Sequence, residues 1–363
     1  MHKKFYEQLS NIADVKLVAK LKNEKIGFPF DNDIRIFIPD LHMISKSRQE
    51  KYRYECYTNY YEDASDLLPQ FINFLLKFKT DNQDKKVVVY QLGDFLDPWR
   101  ETSKPWKENP EHLSQIIQYM LESNKEVYDV LVDDALNTQF VLGNHDFDLH
   151  RDPNLFSKWR FLRYYIVDDS DTPIGGIFHG DLFSWVERVC PDWVQQFFVY
   201  NFSPKESDKK LKKKVEKKIR KTHPKNPLSE KYKEDKSQKE PSALEELANP
   251  LDFYEDEWNI KREGEATKKD LRYLKEAKSC FNEVNKETDY KLRLAFIGHT
   301  HNARIAVDDR EDDFFVLVDC GAWVKKFEGK VKEEGTEREI REKNAQVGVL
   351  SENEVRIYQL SPK

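Results

Sequence analysis

The chain has 363 residues, a length that suits one large α/β body carrying an insertion. Hydrophobic residues make up 39% of it, enough for a substantial core, and the formal net charge of -6 argues against a protein that coats nucleic acid along its whole length. No segment approaches the roughly 18 uninterrupted apolar residues of a membrane span, which excludes a transmembrane helix.

Short apolar runs that end abruptly in polar or glycine-containing turns predict β-strands. They cover residues 34–38, 86–92, 138–142, 174–178, 293–297 and 314–318. Such near-continuous apolar strands indicate sheets that are buried on both faces. Apolar residues with helical spacing lie between them at 67–78 and 113–121, so the alternation predicts an α/β architecture with helices covering the sheet. Residues 345–350 and 354–360 predict a closing hairpin.

The alternation of predicted strands and helices is interrupted between about residues 200 and 290. Residues 205–240 hold 15 Lys and Arg against 7 Asp and Glu, a local net charge of +8. We interpret 191–290 as an inserted, Lys-rich helical cap with a flexible segment near 222–242, set in a body formed by 1–190 and 291–363. The basic run is either a solvated face or a surface for an anionic membrane or nucleic acid. The aromatic stretch 193–202 either packs the cap on the body or lines a lipid slot.

Five predicted strands end in turns that carry side chains able to bind metal ions. The turns are "PDLH" with Asp40 and His42, "GDFLD" with Asp94 and Asp97, "GNH" with Asn144 and His145, "HGD" with His179, and "GHTH" with His299 and His301. Any one of these turns alone would be weak evidence for a metal site. Because ligands in α/β sheets bind beyond the carboxyl ends of the strands, all five together predict one site at one edge. Glycine and asparagine in "GNH" also suit a tight turn.

The residue types fit hydrolysis of a phosphate ester. Such an ester repels hydroxide, and two cations about 3.5–4 Å apart can activate a bridging water and clamp the transition state. Carboxylate, imidazole and amide ligands suit Mn, Fe or Zn better than Ca. On an extended "GHTH" segment, His299 and His301 would point the same way and reach different ions, and we expect Thr300 between them to matter little.

The order of these motifs, spanning residues 40–301, resembles the calcineurin-like metallophosphoesterases. The resemblance implies a four-layer α-β-β-α sandwich and two divalent metal ions, with Mn favoured over Fe or Zn. It implies a hydrolase that uses metal-activated hydroxide on a phosphodiester, pyrophosphate or phosphomonoester. The ligands that it implies are Asp40, His42, Asp94 and His301 for the first ion, and a bridging Asp94 with Asn144, His179 and His299 for the second.

The resemblance also assigns proton transfer. His145 would donate to the leaving oxygen or stabilise it, and Asp97 would orient its imidazole, as suits a general acid. A structural role for Asp97 as a turn or helix cap is the alternative. Neither role follows from the spacing of the two residues alone.

Three further segments bear on the substrate. "GDFLDPW", "HGD" and "VDCGAWV" (318–324) together resemble the UDP-2,3-diacylglucosamine diphosphatases, which also carry a helical insertion between "HGD" and "GHTH". This likeness implies a UDP-linked lipid or nucleotide-like substrate. Two alternatives are a nuclease that holds nucleic acid with the basic insertion, and a non-catalytic protein-binding scaffold. The complete set of ligand residues favours an enzyme over a scaffold.

Two remaining features concern the cellular compartment. The four cysteines are scattered without the spacing of a disulfide framework or a zinc site, which predicts reduced thiols. The N-terminal residues contain no apolar signal region. We therefore expect a cytoplasmic protein that is at most peripheral to a membrane, and no oligomeric state follows from these patterns.

Overall fold

The computed structural model describes the chain in twelve ranges. They are residues 1–28, 33–45, 67–98, 110–145, 161–162, 164–169, 172–181, 260–263, 268–309, 314–333, 336–343 and 345–363. The predicted basic run at 205–240, the flexible segment near 222–242 and the aromatic stretch 193–202 lie outside the described residues.

The strands of the described residues are numbered in chain order. They are β1 (Asp14–Lys22), β2 (Ile34–Ile38), β3 (Val87–Gln91), β4 (Gln139–Val141), β5 (Phe161–Leu162), β6 (Tyr164–Asp169), β7 (Thr172–Phe178), β8 (Ile260–Glu263), β9 (Leu294–Ile297), β10 (Arg304–Asp308), β11 (Phe315–Asp319), β12 (Lys325–Glu333), β13 (Thr336–Lys343), β14 (Gln346–Ser351) and β15 (Glu354–Ser361). The helices are α1 (His2–Leu9), α2 (Leu67–Thr80), α3 (Pro110–Ser123), α4 (Lys125–Leu131) and α5 (Lys268–Glu287). The six predicted apolar strands, both predicted helices and the closing hairpin are confirmed.

In the described ranges these strands form two large sheets and a ribbon. The first sheet has the order β1-β15-β14-β2-β3-β4-β5, and β2 to β5 run parallel in it. The second has the order β6-β7-β9-β11-β10-β8, with β7, β9 and β11 parallel. Strands β12 and β13 pair with each other as an antiparallel ribbon. Both sheets therefore present several carboxyl strand ends on one side.

The two sheets pack face to face. Phe37 of β2 stacks on Phe296 of β9 with ring centroids 3.8 Å apart, and Tyr90, Val316 and Val318 belong to the same buried cluster. Each central strand alternates its side chains between this interface and an outer helix layer, because successive residues of a strand point to opposite faces. The near-continuous apolar strands of the sequence are explained by this double burial.

Helices cover the outer faces. Phe5 of α1, Phe71 of α2 and Met120 of α3 are buried with Ile36 and Val89 on the first sheet. On the second sheet, the buried residues of α5 pack against Phe178, Ala295, Ile297, Phe315 and Leu317. The four-layer α-β-β-α sandwich predicted from the sequence is therefore confirmed.

The C-terminal part of the predicted insertion belongs to this sandwich. Strand β8 pairs with β10 in the second sheet, and α5 lies on that sheet with Lys278 Nζ 2.6 Å from Asp308 Oδ2 in a buried ion pair. Removal of either partner would leave a buried charge unpaired, which is strongly destabilising. The cap stays a prediction, now for the part of 191–290 that precedes β8.

Candidate metal centre

The five predicted turns meet at one edge of the sandwich. They follow β2, β3, β4, β7 and β9, whose carboxyl ends point the same way within their sheets. Backbone hydrogen bonds join the turns: His42 N–H donates to the Asp94 carbonyl over 2.8 Å, and Gly298 N–H donates to the His179 carbonyl over 2.9 Å. The sequence prediction of a shared edge is borne out by this geometry.

One group of candidate ligands contains Asp40, His42 and His301. One ligand atom from each lies within 4.8 Å of the others. His301 Nε2 is 2.9 Å from His42 Nε2 and 3.2 Å from Asp40 Oδ2. Asp40 is fully buried, and its carboxylate accepts the His299 backbone N–H with both oxygens, at 3.0 and 2.8 Å. Two imidazole nitrogens and a carboxylate thus converge on one point.

A second group contains Asp94, His179 and His299, again with ligand atoms within 4.8 Å of one another. His179 Nε2 lies 3.2 Å from His299 Nδ1 and 3.0 Å from Asn144 Oδ1. The amide oxygen of Asn144 therefore joins the same cluster, as the family resemblance implied. The two histidines of "GHTH" fall in different groups.

Asp94 lies between the two groups. Its Oδ2 atom is 3.4 Å from His42 Nε2 in the first group and 3.3 Å from His179 Nε2 in the second. Its other oxygen, Oδ1, accepts the backbone N–H of His145 over 2.9 Å. A single carboxylate oxygen thus faces one imidazole from each group, which is the position that a bridging ligand requires.

The imidazoles of His42 and His179 are oriented by their other ring nitrogen. His179 Nδ1–H donates to the Leu92 carbonyl over 2.9 Å, and His42 Nδ1 lies 3.2 Å from Asp97 Oδ2, which accepts its proton. In both rings Nε2 is consequently directed at the cluster. Histidines that bind metals in proteins are commonly held in this way. The donor set and its orientation therefore fit a pair of divalent cations.

Asp97 contacts two histidines at once. Its Oδ1 is 2.9 Å from His145 Nδ1, and its Oδ2 is the atom that faces His42. Asp97 is fully buried and His145 is partly exposed. The contact with His145 was implied by the family resemblance, whereas the contact with His42 was not. These three residues also form a third group with metal-ligand spacing.

The backbone is strained where the candidate ligands lie. His42, Asp94, His299 and His301 have positive φ angles of 44°, 48°, 64° and 57°. The "GHTH" segment is therefore not extended, and the separate directions of its histidines come from two left-handed residues. Non-glycine residues in this region cost of order 1–3 kcal/mol each, and they cluster at functional sites.

Two glycines make room for the carboxylates. A Cβ atom on Gly143 would overlap Asp94 Oδ1, and one on Gly298 would overlap Asp40 Oδ1. Gly143 precedes Asn144 and Gly298 precedes His299, so each glycine brings a ligand turn against a buried carboxylate. Close approach to Asp94 is therefore a reason for glycine at position 143 that the sequence did not show.

Burial and neighbouring charges shift the pKa of the carboxylates and imidazoles of the centre. Burial raises the pKa of Asp40 to about 7, although His179 acts in the opposite direction. Burial alone would raise the pKa of Asp94, but His179, His145 and His42 hold it well below its ordinary value. Burial alone would lower the pKa of His179, but Asp94 and Asp40 hold it well above. The buried carboxylates thus favour positive charge beside them, which a bound cation would also supply.

Thr300 is held more firmly than the sequence suggested. It is buried between the two partly exposed histidines, and its hydroxyl donates to Asp319. The expectation that this threonine matters little does not agree with these contacts.

The family of the chain follows from a comparison with known proteins. The family model described as calcineurin-like phosphoesterase matches residues 36–303, a range that includes every candidate ligand. The chain therefore belongs to the calcineurin-like phosphoesterase family, whose members are metal-dependent phosphoric ester hydrolases. No curated protein was found to match it. None of the helices in the described part of the chain combines the length and apolar character needed to cross a bilayer.

Proposed function

We propose that the chain is a dinuclear metal-dependent phosphoesterase that acts on a phosphodiester, pyrophosphate or phosphomonoester bond. A UDP-linked lipid or a nucleotide-like molecule is the favoured substrate class. The observation that carries the two-metal assignment is the position of Asp94 Oδ2, 3.4 Å from His42 Nε2 and 3.3 Å from His179 Nε2.

The ligand assignment follows from the two groups. Asp40, His42 and His301 would hold one ion, Asn144, His179 and His299 would hold the other, and Asp94 would contact both. When bound, two such ions neutralise the phosphate and make water nucleophilic near neutral pH. Asn144 contributes a neutral oxygen, which leaves the centre more cationic than a third carboxylate would. Mn is the favoured metal, with Fe or Zn as alternatives, since the ligands combine oxygen with imidazole nitrogen.

His145 would serve as the general acid. Its Nδ1–H donates to Asp97 Oδ1 over 2.9 Å, which fixes the ring so that Nε2 is the nitrogen that delivers a proton. Its backbone N–H is bound to Asp94, so the acid and the bridging carboxylate are placed by one contact. Asp97 would therefore be a positioning residue that acts through both His145 and His42.

The substrate class rests on the likeness of three motifs to the UDP-2,3-diacylglucosamine diphosphatases. Trp323 of "VDCGAWV" has a structural role here: its backbone N–H donates to the Asp40 carbonyl over 2.8 Å, and its buried indole stacks near Phe71. The hydrogen bond from Trp323 therefore stabilises the turn that carries Asp40. We infer that substrate contacts come from the cap predicted before β8, and that a lipid-linked substrate would bring a cytoplasmic enzyme to a membrane surface through residues 205–240.

A substrate screen on the full chain tests this proposal. After removal of bound metal and reconstitution with Mn²⁺, the protein is assayed with 4-nitrophenyl phosphate, its bis-ester, UDP-linked lipids, nucleotide pyrophosphates, cyclic nucleotides and oligonucleotides. We expect hydrolysis of an aryl phosphate ester that a chelator abolishes and Mn²⁺ restores, with fastest turnover of a UDP-linked or nucleotide-like substrate.

Other outcomes separate the alternatives. Preferred cleavage of oligonucleotides, with binding that weakens as salt rises, would support the nuclease instead. Folded, metal-loaded protein that hydrolyses none of these compounds would contradict an enzymatic role and support the scaffold.

A further inference from the structure

The residue between the two histidines of "GHTH" is part of a buried polar cluster. Thr300 is 7% exposed, and its Oγ1–H donates to Asp319 Oδ2. The same oxygen accepts Arg304 Nη2–H over 3.2 Å and the Asn302 backbone N–H over 3.3 Å. The hydroxyl therefore acts as donor and acceptor at once, which a methyl group in its place could not do.

The partners of Thr300 are anchored in the second sheet. Asp319 ends β11 and Arg304 begins β10, and the two are directly paired in the antiparallel register of these strands. Arg304 Nη2 also lies 3.4 Å from Asp319 Oδ2, and Asp319 Oδ1 accepts the Gly321 backbone N–H over 3.2 Å. Asp319 and Arg304 are both buried. The side chain of the threonine is therefore bound to two strands of the second sheet.

The cluster holds residues 299–301, a segment whose strained backbone must be stabilised by surrounding contacts. His299 and His301 have φ angles of 64° and 57°, a conformation that persists for non-glycine residues only when surrounding contacts enforce it. Thr300 N–H donates back to the Gly298 carbonyl over 2.7 Å, which completes a tight bend between the two histidines. Within this bend, Thr300 is the residue whose side chain reaches both Asp319 and Arg304.

We propose that Thr300, Asp319 and Arg304 position the two metal-binding histidines and thereby set the affinity of both ions; this inference rests on the two-metal function proposed above. The bend sends His299 toward His179, with the two ring nitrogens 3.2 Å apart, and His301 toward Asp40. One buried hydroxyl thus acts on two ligands that belong to different groups. Thr300 is a positioning residue, since it acts through its neighbours.

Metal titration of the full chain tests this inference without relying on activity. Calorimetric titration of metal-free protein with Mn²⁺ compares the wild type with Thr300→Val, which keeps the shape and loses the hydroxyl, and with Thr300→Ser, which keeps the hydroxyl. Loss of a group that orients metal ligands typically weakens affinity by about 10- to 100-fold. We expect a loss of this size for both ions in Thr300→Val, and binding close to the wild type in Thr300→Ser.

Thr138→Val is the matched control. Thr138 precedes β4 at the end of the strand away from the centre, and its buried hydroxyl has no hydrogen-bond partner among the described residues. The same chemical change at position 138 should leave metal affinity unaltered. If Thr300→Val fails to fold, Asp319→Asn tests the same inference, and we expect it to weaken the binding of both ions as well.

The outcomes distinguish this inference from the function on which it rests. Wild-type affinity for both ions in folded Thr300→Val, with or without a lower melting temperature, would overturn the positioning role. A weakened affinity that Thr300→Ser also shows would overturn it too, because the hydroxyl would then be irrelevant. Wild-type protein that binds no Mn²⁺ would instead contradict the two-metal function itself.

Discussion

Replacement of Asp94 by asparagine is expected to reduce kcat/KM on an aryl phosphate diester by about 10³-fold or more, together with a loss of bound metal. The carboxamide has one oxygen and no negative charge, whereas the Asp94 carboxylate uses Oδ2 toward both groups of ligands and Oδ1 toward the His145 N–H. The measurement is steady-state kinetics combined with metal analysis of the same preparation.

Asp84→Asn is the control for this substitution, because its carboxylate is 76% exposed and belongs to no group of candidate ligands. It should leave both kcat/KM and metal content unchanged. An Asp94→Asn protein that keeps two bound ions and most of its activity would show that the carboxylate does not bridge.

His145→Gln should have the second-largest effect, and it should differ in kind. General acid catalysis contributes about 10²- to 10⁴-fold, so we expect kcat to fall within this range while both metal ions are retained. The loss should be smaller for a 4-nitrophenyl ester than for an alkyl ester, because 4-nitrophenolate leaves readily without a proton. Kinetics on both esters, with metal analysis, measures this difference.

Retention of both metal ions would distinguish a general acid at position 145 from a metal ligand there. His145, Asp97 and His42 themselves have the spacing of a metal site. Loss of one ion from His145→Gln would make His145 a ligand and would contradict its role as the acid. An equal loss of activity on both esters would also count against proton donation to the leaving oxygen.

The position of the candidate site could be predicted from the sequence for a simple reason. Its ligands follow strands buried on both faces, so each strand is visible as an apolar run and each ligand as the polar residue that ends it. Ile34–Ile38 before Asp40 and Leu294–Ile297 before His299 are examples, since every residue in both strands is buried. Parallel pairing then brings the turns together without further information.

Elements without this pattern were not predicted. Strand β1 lies at the edge of its sheet and is largely exposed, so its sequence "DVKLVAKLK" has no apolar run. Strand β8 follows a long polar stretch in the chain and was not predicted as a strand. Helix α5 was expected, but as part of the helical insertion, although it covers the second sheet that β8 completes.

The finer geometry of the centre could not be predicted from the sequence either. The contact between Asp97 and His42 depends on side-chain directions across two turns, and "GDFLD" gives no sign of it. The left-handed conformation of His299 and His301 is not indicated by a glycine at either position, and the hydrogen bonds that hold Thr300 involve side chains of two later strands, β10 and β11. Such features arise from tertiary contacts, which override local preference.

Anomalous diffraction from crystals of the Mn²⁺-loaded chain is the most direct measurement of the paired site. Two peaks should lie about 3.5–4 Å apart, with the Asp94 carboxylate in contact with both, His301 on one ion and His299 on the other. A single peak, or an ion bound by His42, Asp97 and His145 with Asp94 unligated, would contradict the two-ion centre.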